Sequence, residues 1–152
     1  MNLVELEERD RKIDALEEGI RRELQPVVCP VVNHFAPGLY AREMHIPAGT
    51  VLTGKIHKYA NLSIMSAGCL RIFLEDGTTS IVKAPFTYVS PPGTRRAAEA
   101  LEDTVWTVIH ATEETDVAKI EQQFIAQTPA EYRLFHEEQL KLGVDMTKEV
   151  QP

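Results

Sequence analysis

The stretch Gly49-Thr50-Val51-Leu52-Thr53-Gly54-Lys55-Ile56-His57-Lys58-Tyr59-Ala60-Asn61-Leu62-Ser63-Ile64-Met65-Ser66-Ala67-Gly68 decides how this chain is read. Its second half, Asn61 to Met65, is a short β-rich run that ends at the turn Ser66-Ala67-Gly68. The same texture extends on both sides. Leu39 to Ile46 leads into the turn Pro47-Ala48-Gly49, and Cys69 to Glu75 runs into Asp76-Gly77, a strong hairpin signal from which Thr78 to Lys83 returns. Phe86 to Ser90 ends at Pro91-Pro92-Gly93, and Thr104 to His110 completes the set. Six to eight closely spaced strands with no helix between them predict an antiparallel sandwich or barrel.

Helices flank this region. Leu6, Ile13, Leu16, Ile20 and Leu24 form a thin apolar stripe in residues 2–25, opposite Glu7, Glu8, Arg11, Glu18, Arg21 and Arg22. Such a helix can pair with a sister subunit as a short coiled coil or lie on its own domain. Pro26, Pro30 and Pro37 mark a connecting segment. Beyond the strands, Thr115 can cap a helix reaching about Gln127. Thr128-Pro129-Ala130-Glu131 carries the signature of a capping box and starts another that ends near Gly143. The expected organisation is an amphipathic helix over 1–25, a β-barrel over 26–112 and a helical extension over 113–152.

The 152 residues fit one compact domain with appendages. With 43% hydrophobic residues the composition is that of a globular protein. No apolar run approaches the roughly 20 residues of a membrane-spanning helix, and the acidic start does not read as a signal peptide. Cys29 and Cys69 are too few and too far apart for a disulfide framework, so a reduced, cytoplasmic protein is expected. Sixteen basic against 23 acidic side chains give a net charge of −7, which argues against binding nucleic-acid polymers. The charge is uneven: residues 50–100 hold 6 basic and 3 acidic side chains. An acidic protein thus has a basic middle.

The spacing Gly49, five residues, Lys55, one, His57, three, Asn61, six, Gly68 resembles the first motif of the cupin superfamily. Pro91-Pro92-Gly93 with Arg96 three residues on resembles the second. The likeness covers about residues 39 to 111 and implies a mainly β fold: an antiparallel cupin-like β-barrel or jelly roll, here with an N-terminal helix and C-terminal helices. The family's metal ligands, usually three His and one Glu, would fall on Lys55, His57, Asn61 and Arg96. Only His57 is a ligand type, and a lysine and an arginine would repel a divalent cation. The departure implies neither a metal nor another cofactor. At a finer level, residues 49–59 and 102–110 look like those of uncharacterised cupin-like proteins of tailed bacteriophages, which implies expression in a bacterial host cytoplasm.

Residues two apart on a strand share a face, so Lys55 and His57 are expected to share the interior, with Asn61 and Arg96 beside them. That set suits a small anion: a carboxylate, phosphate or nucleotide. Two buried cations need an anionic ligand or an internal counter-charge, for which Glu43, Glu99 and Glu102 are candidates. By the same alternation Arg95 faces away from Arg96. Lys58 and Tyr59 are expected in a loop at the mouth. Trp106, Val108 and His110 share one face, which makes His110 either a second cavity imidazole or a hydrogen-bonded residue at the strand end; Trp106 and Tyr88 read as packing residues.

The first expectation is therefore a homo-oligomeric barrel that binds a small anion without turnover, in a phage setting to sequester a host signalling nucleotide. A second is an enzyme: a metal-independent isomerase or lyase using His57 with Tyr59, or a metalloenzyme with ligands drawn from His57, His110, His45 and Glu43. A third is a phage assembly protein held together through its terminal helices.

Overall fold

The computed structural model describes residues 2–74 and 76–146. Helix α1 (Leu3–Glu23) starts at a capping box, in which the Asn2 side chain accepts from the Glu5 amide while the Glu5 carboxylate accepts from the Asn2 amide. The strands follow as β1 (Val31–Ala36), β2 (Leu39–Ile46), β3 (Val51–Thr53), β4 (Ile56–His57), β5 (Asn61–Ala67), β6 (Cys69–Phe73), β7 (Thr79–Lys83), β8 (Phe86–Ser90), β9 (Ala97–Ala100) and β10 (Thr104–Ala111). The chain continues through α2 (Val117–Phe124), β11 (Ile125–Ala126) and α3 (Pro129–Lys141). The Thr128 side chain accepts from the Glu131 amide at the start of α3.

All pairings are antiparallel. A five-stranded sheet in the order β1-β2-β10-β5-β8 faces a four-stranded sheet in the order β3-β9-β6-β7, and β4 pairs with β11. Ile46, Met65, Leu70, Ile72 and Ala100 form the core between the sheets. A second cluster, Tyr40, Ile120 and Phe124, fastens α2 to β2. Strand β1 lies where a connecting segment was expected. Pro30 and Pro37 flank it rather than interrupt it, and it runs along a sheet edge where missing amide donors do no harm. The extension after residue 112 is likewise no mere appendage, because β11 joins the barrel through β4.

Helix α1 lies on its own barrel. Ile13 is buried, but Leu6, Leu16 and Ile20 are only half-buried and Leu24 is exposed, so apolar contact is thin. Charge completes the attachment. The buried Arg95 guanidinium meets Asp14 at 2.7 Å, Glu17 at 3.2 Å and Asp10 at 3.5 Å. Arg9 donates to the Gly93 carbonyl and pairs with Asp10, which Arg133 of α3 also approaches at 3.5 Å. Breaking a buried pair strands the other charge, at a typical cost of about 3–5 kcal/mol. Arg95→Met is expected to lower unfolding free energy by about 3 kcal/mol, since Asp10 keeps two other cations; chemical denaturation measures it, and a loss below about 1 kcal/mol would mean that the helix is held by its apolar stripe.

Gly68 fixes the β5–β6 turn. Its φ is +93°, and a Cβ there would lie 2.3 Å from Thr104 Oγ1 and 2.4 Å from the Asp103 carbonyl oxygen. Thr104 cannot give way: it is 1% exposed, and its hydroxyl accepts from the Cys69 amide. Gly68→Ala is expected to cost about 3 kcal/mol from left-handed strain and overpacking together. An unshifted urea midpoint would refute that close approach.

Candidate functional site

Between the sheets lies a cavity of about 540 Å³. Strand alternation supplies its wall. Tyr40, Arg42, Met44 and Ile46 enter it from β2, and Trp106, Val108 and His110 from β10. The opposite sheet and its approaches contribute Leu52, Leu70, Ile72, Val82, Ala98 and Arg96. Helix α2 closes one end with Val117, Ile120, Glu121 and Phe124.

Of the residues expected to form the site, Lys55, His57, Asn61, Arg96 and His110 line this cavity. Arg96 donates to the Tyr88 hydroxyl at 3.3 Å and lies over that ring, 5.4 Å from its centroid. Tyr88 is thus a cavity residue rather than plain packing, and Trp106 both packs on the core and lines the cavity. Arg42, which the motif spacing did not single out, also lines it; its contact at 3.8 Å is to the Met44 sulfur. Alternation along Leu39 to Ile46 was the signal that would have found it. Neither Arg42 nor Arg96 has a carboxylate within ion-pair distance among the described residues.

Lys55 is different. It is exposed at the mouth and paired with Glu121 of α2. The counter-charge therefore comes from the C-terminal extension, not from the candidates nearer in sequence. Glu99 is taken by its cross-strand partner Arg71 at 2.5 Å, and Glu43 by His45 at 2.6 Å and His34 at 3.3 Å.

Lys58 and Tyr59 are not at the mouth. The Lys58 ammonium binds the Gln122 carbonyl and the Glu131 carboxylate, both at the helical extension. The Tyr59 ring stands edge-on to Phe124 and Phe135. Neither lines the cavity. The residues serve instead to hold the C-terminal helices, because the β4–β5 loop runs beneath those helices rather than over open barrel. An acid–base couple of His57 with Tyr59 is not assembled, and His45 and Glu43 are engaged with one another away from the cavity.

His57 and His110 stack with ring centroids 5.3 Å apart, and His110 also stacks on Phe124 at 4.4 Å. The open alternatives for His110 resolve in favour of a cavity imidazole, buried at 8% exposure. Burial lowers His57 to about 4, helped by the charges of His110, Lys55 and Arg42; burial alone lowers His110 to about 4. Both imidazoles are therefore neutral at pH 7. His57 Nδ1 and Asn61 Nδ2 are buried with no hydrogen-bond partner, although Asn61 Oδ1 accepts from Ser63. Both atoms are left to pair with whatever fills the cavity, water included.

The motif resemblance implies a metal, and the donors present do not fit one. Among the described residues no three His, Cys, Asp or Glu side chains are grouped to hold an ion, and Arg42 and Arg96 stand where a cation would be repelled.

Because both histidines fall below the unfolded value near 6.5, the unfolded chain binds protons that the folded chain refuses. Stability is expected to be full above pH 6.5 and to fall as the pH drops from 6.5 towards 4. Thermal unfolding at half-unit intervals checks this, and His110→Phe should flatten the part of the slope above the carboxylate range. A midpoint independent of pH between 6.5 and 5 would contradict the buried neutral pair.

No protein-family model matches the chain, and no curated protein matches it in sequence. Solved structures do match in fold. Ectoine synthase from P. lautus superposes with a TM-score of 0.52 at 12% identity, over 70% of this chain and 81% of that one. A cupin domain from Bordetella pertussis Tohama I gives 0.46 at 15% identity, over 59% and 98%, and KdgF from Halomonas sp. gives 0.45 at 21%, over 61% and 90%. At these identities the likeness speaks for the fold alone. The chain is a mainly antiparallel β-protein of two facing sheets with helices at both ends, and the ectoine synthase match supports a jelly-roll fold.

Proposed function

We propose that this barrel binds a small anionic molecule, a carboxylate, phosphate or nucleotide, and holds it without turnover. The observation that carries the reading is the pair Arg42 and Arg96, which line the cavity with no carboxylate partner among the described residues. Both are half-buried; a guanidinium partly withdrawn from water without a counter-charge carries a cost, and an anionic ligand supplies the missing charge in a forked geometry that arginine favours. Asn61 Nδ2 adds a buried donor with no partner. Lys55 is held at the mouth by Glu121, so an incoming anion competes with that carboxylate for the same ammonium.

The wider reading is of a homo-oligomer in the cytoplasm of a bacterial host, a phage protein that sequesters a host signalling nucleotide being its most specific form. Self-association is supported by the edge strand β1, where Val32 and Phe35 lie exposed. No helix among the described residues is long and apolar enough to cross a membrane.

Calorimetric titration with inorganic phosphate, AMP and a set of carboxylates tests the binding. At least one anion is expected to bind, and Arg42→Met and Arg96→Met should each weaken it by roughly ten- to a hundredfold, as loss of a charged hydrogen bond worth about 1.5–3 kcal/mol dictates. Affinity unchanged in both variants would overturn the proposal.

A further inference from the structure

Resting on that reading, we propose that the occupant is an amphipathic carboxylate, with its anionic head between Arg42 and Arg96 and an apolar body lying deeper in the barrel. The strand register carries this. Across the five-stranded sheet, Arg42, Val108, Ser63 and Tyr88 lie side by side as one cross-strand row. Arg96 reaches the same level from the facing side, through its hydrogen bond to the Tyr88 hydroxyl. One step along the strands the next inward row is Met44, Trp106, Met65 and Phe86, with no charged side chain; all but Met65, which is buried in the core, line the cavity. Ile46 and Leu70 continue the apolar lining beyond it. Polarity therefore changes within one two-residue step, about 7 Å along a strand.

Such a wall selects on both ends of a ligand. The arginine row requires a negative charge, and Asn61 Nδ2 offers a further donor near it. The methionine–tryptophan row rewards apolar surface and itself offers a sugar or a second phosphate little to hydrogen-bond, which is costly for groups lying against it. A volume of about 540 Å³ admits a body of several carbons. Of the anions proposed above, a carboxylate with an apolar body satisfies both requirements more fully than a nucleotide or a sugar phosphate.

Isothermal titration of the full chain with acetate, butanoate, hexanoate and 3-phenylpropanoate, with hexanamide as the uncharged control, tests both ends. Each added methylene should tighten binding about threefold to fourfold, so hexanoate should exceed butanoate by about tenfold. Hexanamide should bind at least tenfold more weakly than hexanoate, and that comparison needs no variant. Arg96→Met should reduce hexanoate affinity while leaving hexanamide affinity unaltered, and Arg96→Lys should restore part of the loss. If acetate, inorganic phosphate or AMP binds as tightly as hexanoate, the apolar body is wrong and the anion site stands. If hexanamide equals hexanoate, or no anion of either panel binds, the anion site itself is wrong and this inference falls with it.

Discussion

Two adjacent arginines cannot enter the same side of an extended backbone, and much of this molecule follows from how Arg95 and Arg96 are divided. Arg95 turns outward and is buried under α1, where Asp10, Asp14 and Glu17 surround it. Arg96 turns inward and meets a tyrosine in place of a carboxylate. The first arginine thus organises the attachment of the N-terminal helix, and the second sets the character of the cavity. A helix with so thin an apolar stripe needs that help, because half-buried Leu6, Leu16 and Ile20 exclude too little water to hold it alone.

The C-terminal extension plays the matching part at the other opening. Its short strand β11 pairs with β4 and so sits beside His57, while Phe124 packs on His110 and joins Tyr40 in a buried cluster. Lys58 and Tyr59 then grip the extension from the barrel side. Several of these contacts use aromatic rings, which give large buried area while allowing imidazoles to stack among them. The closure also creates the low-polarity surroundings that keep both histidines neutral.

Much of the fold was legible in the chain. Leu39 to Ile46 and Phe86 to Ser90 coincide with β2 and β8, because alternating residues bounded by Gly and Pro leave little choice of register or ends. The opposite facing of Arg95 and Arg96, and the common facing of Trp106, Val108 and His110, came from the same two-residue period. What was not legible depends on contacts distant in sequence. Strand β1 carries a Pro at each border, which reads as a breaker until the sheet edge is known. Glu121, 66 residues from its partner Lys55, could not be chosen over Glu43 or Glu99 by spacing alone. Lys58 and Tyr59 were misplaced for the same reason: whether a loop faces water or a helix is decided by where the chain returns.

The inward-facing charge has a further consequence for selectivity. At neutral pH the imidazoles add no charge, so the cavity's positive potential rests on guanidinium groups that stay ionised and on a lysine already shared with Glu121. A histidine-based anion site would weaken as its rings deprotonate between pH 6 and 8. The proposed anion site, built on arginines, keeps its charge across that interval, and the neutral rings beside it can accept as well as donate. On the proposed reading Asn61 and His57 discriminate among anions by hydrogen-bond pattern, while Arg42 and Arg96 provide an attraction common to all of them. Division of labour between fixed charge and neutral polar groups separates how strongly a ligand is held from which ligand is held, and the apolar row beneath them adds shape to that choice.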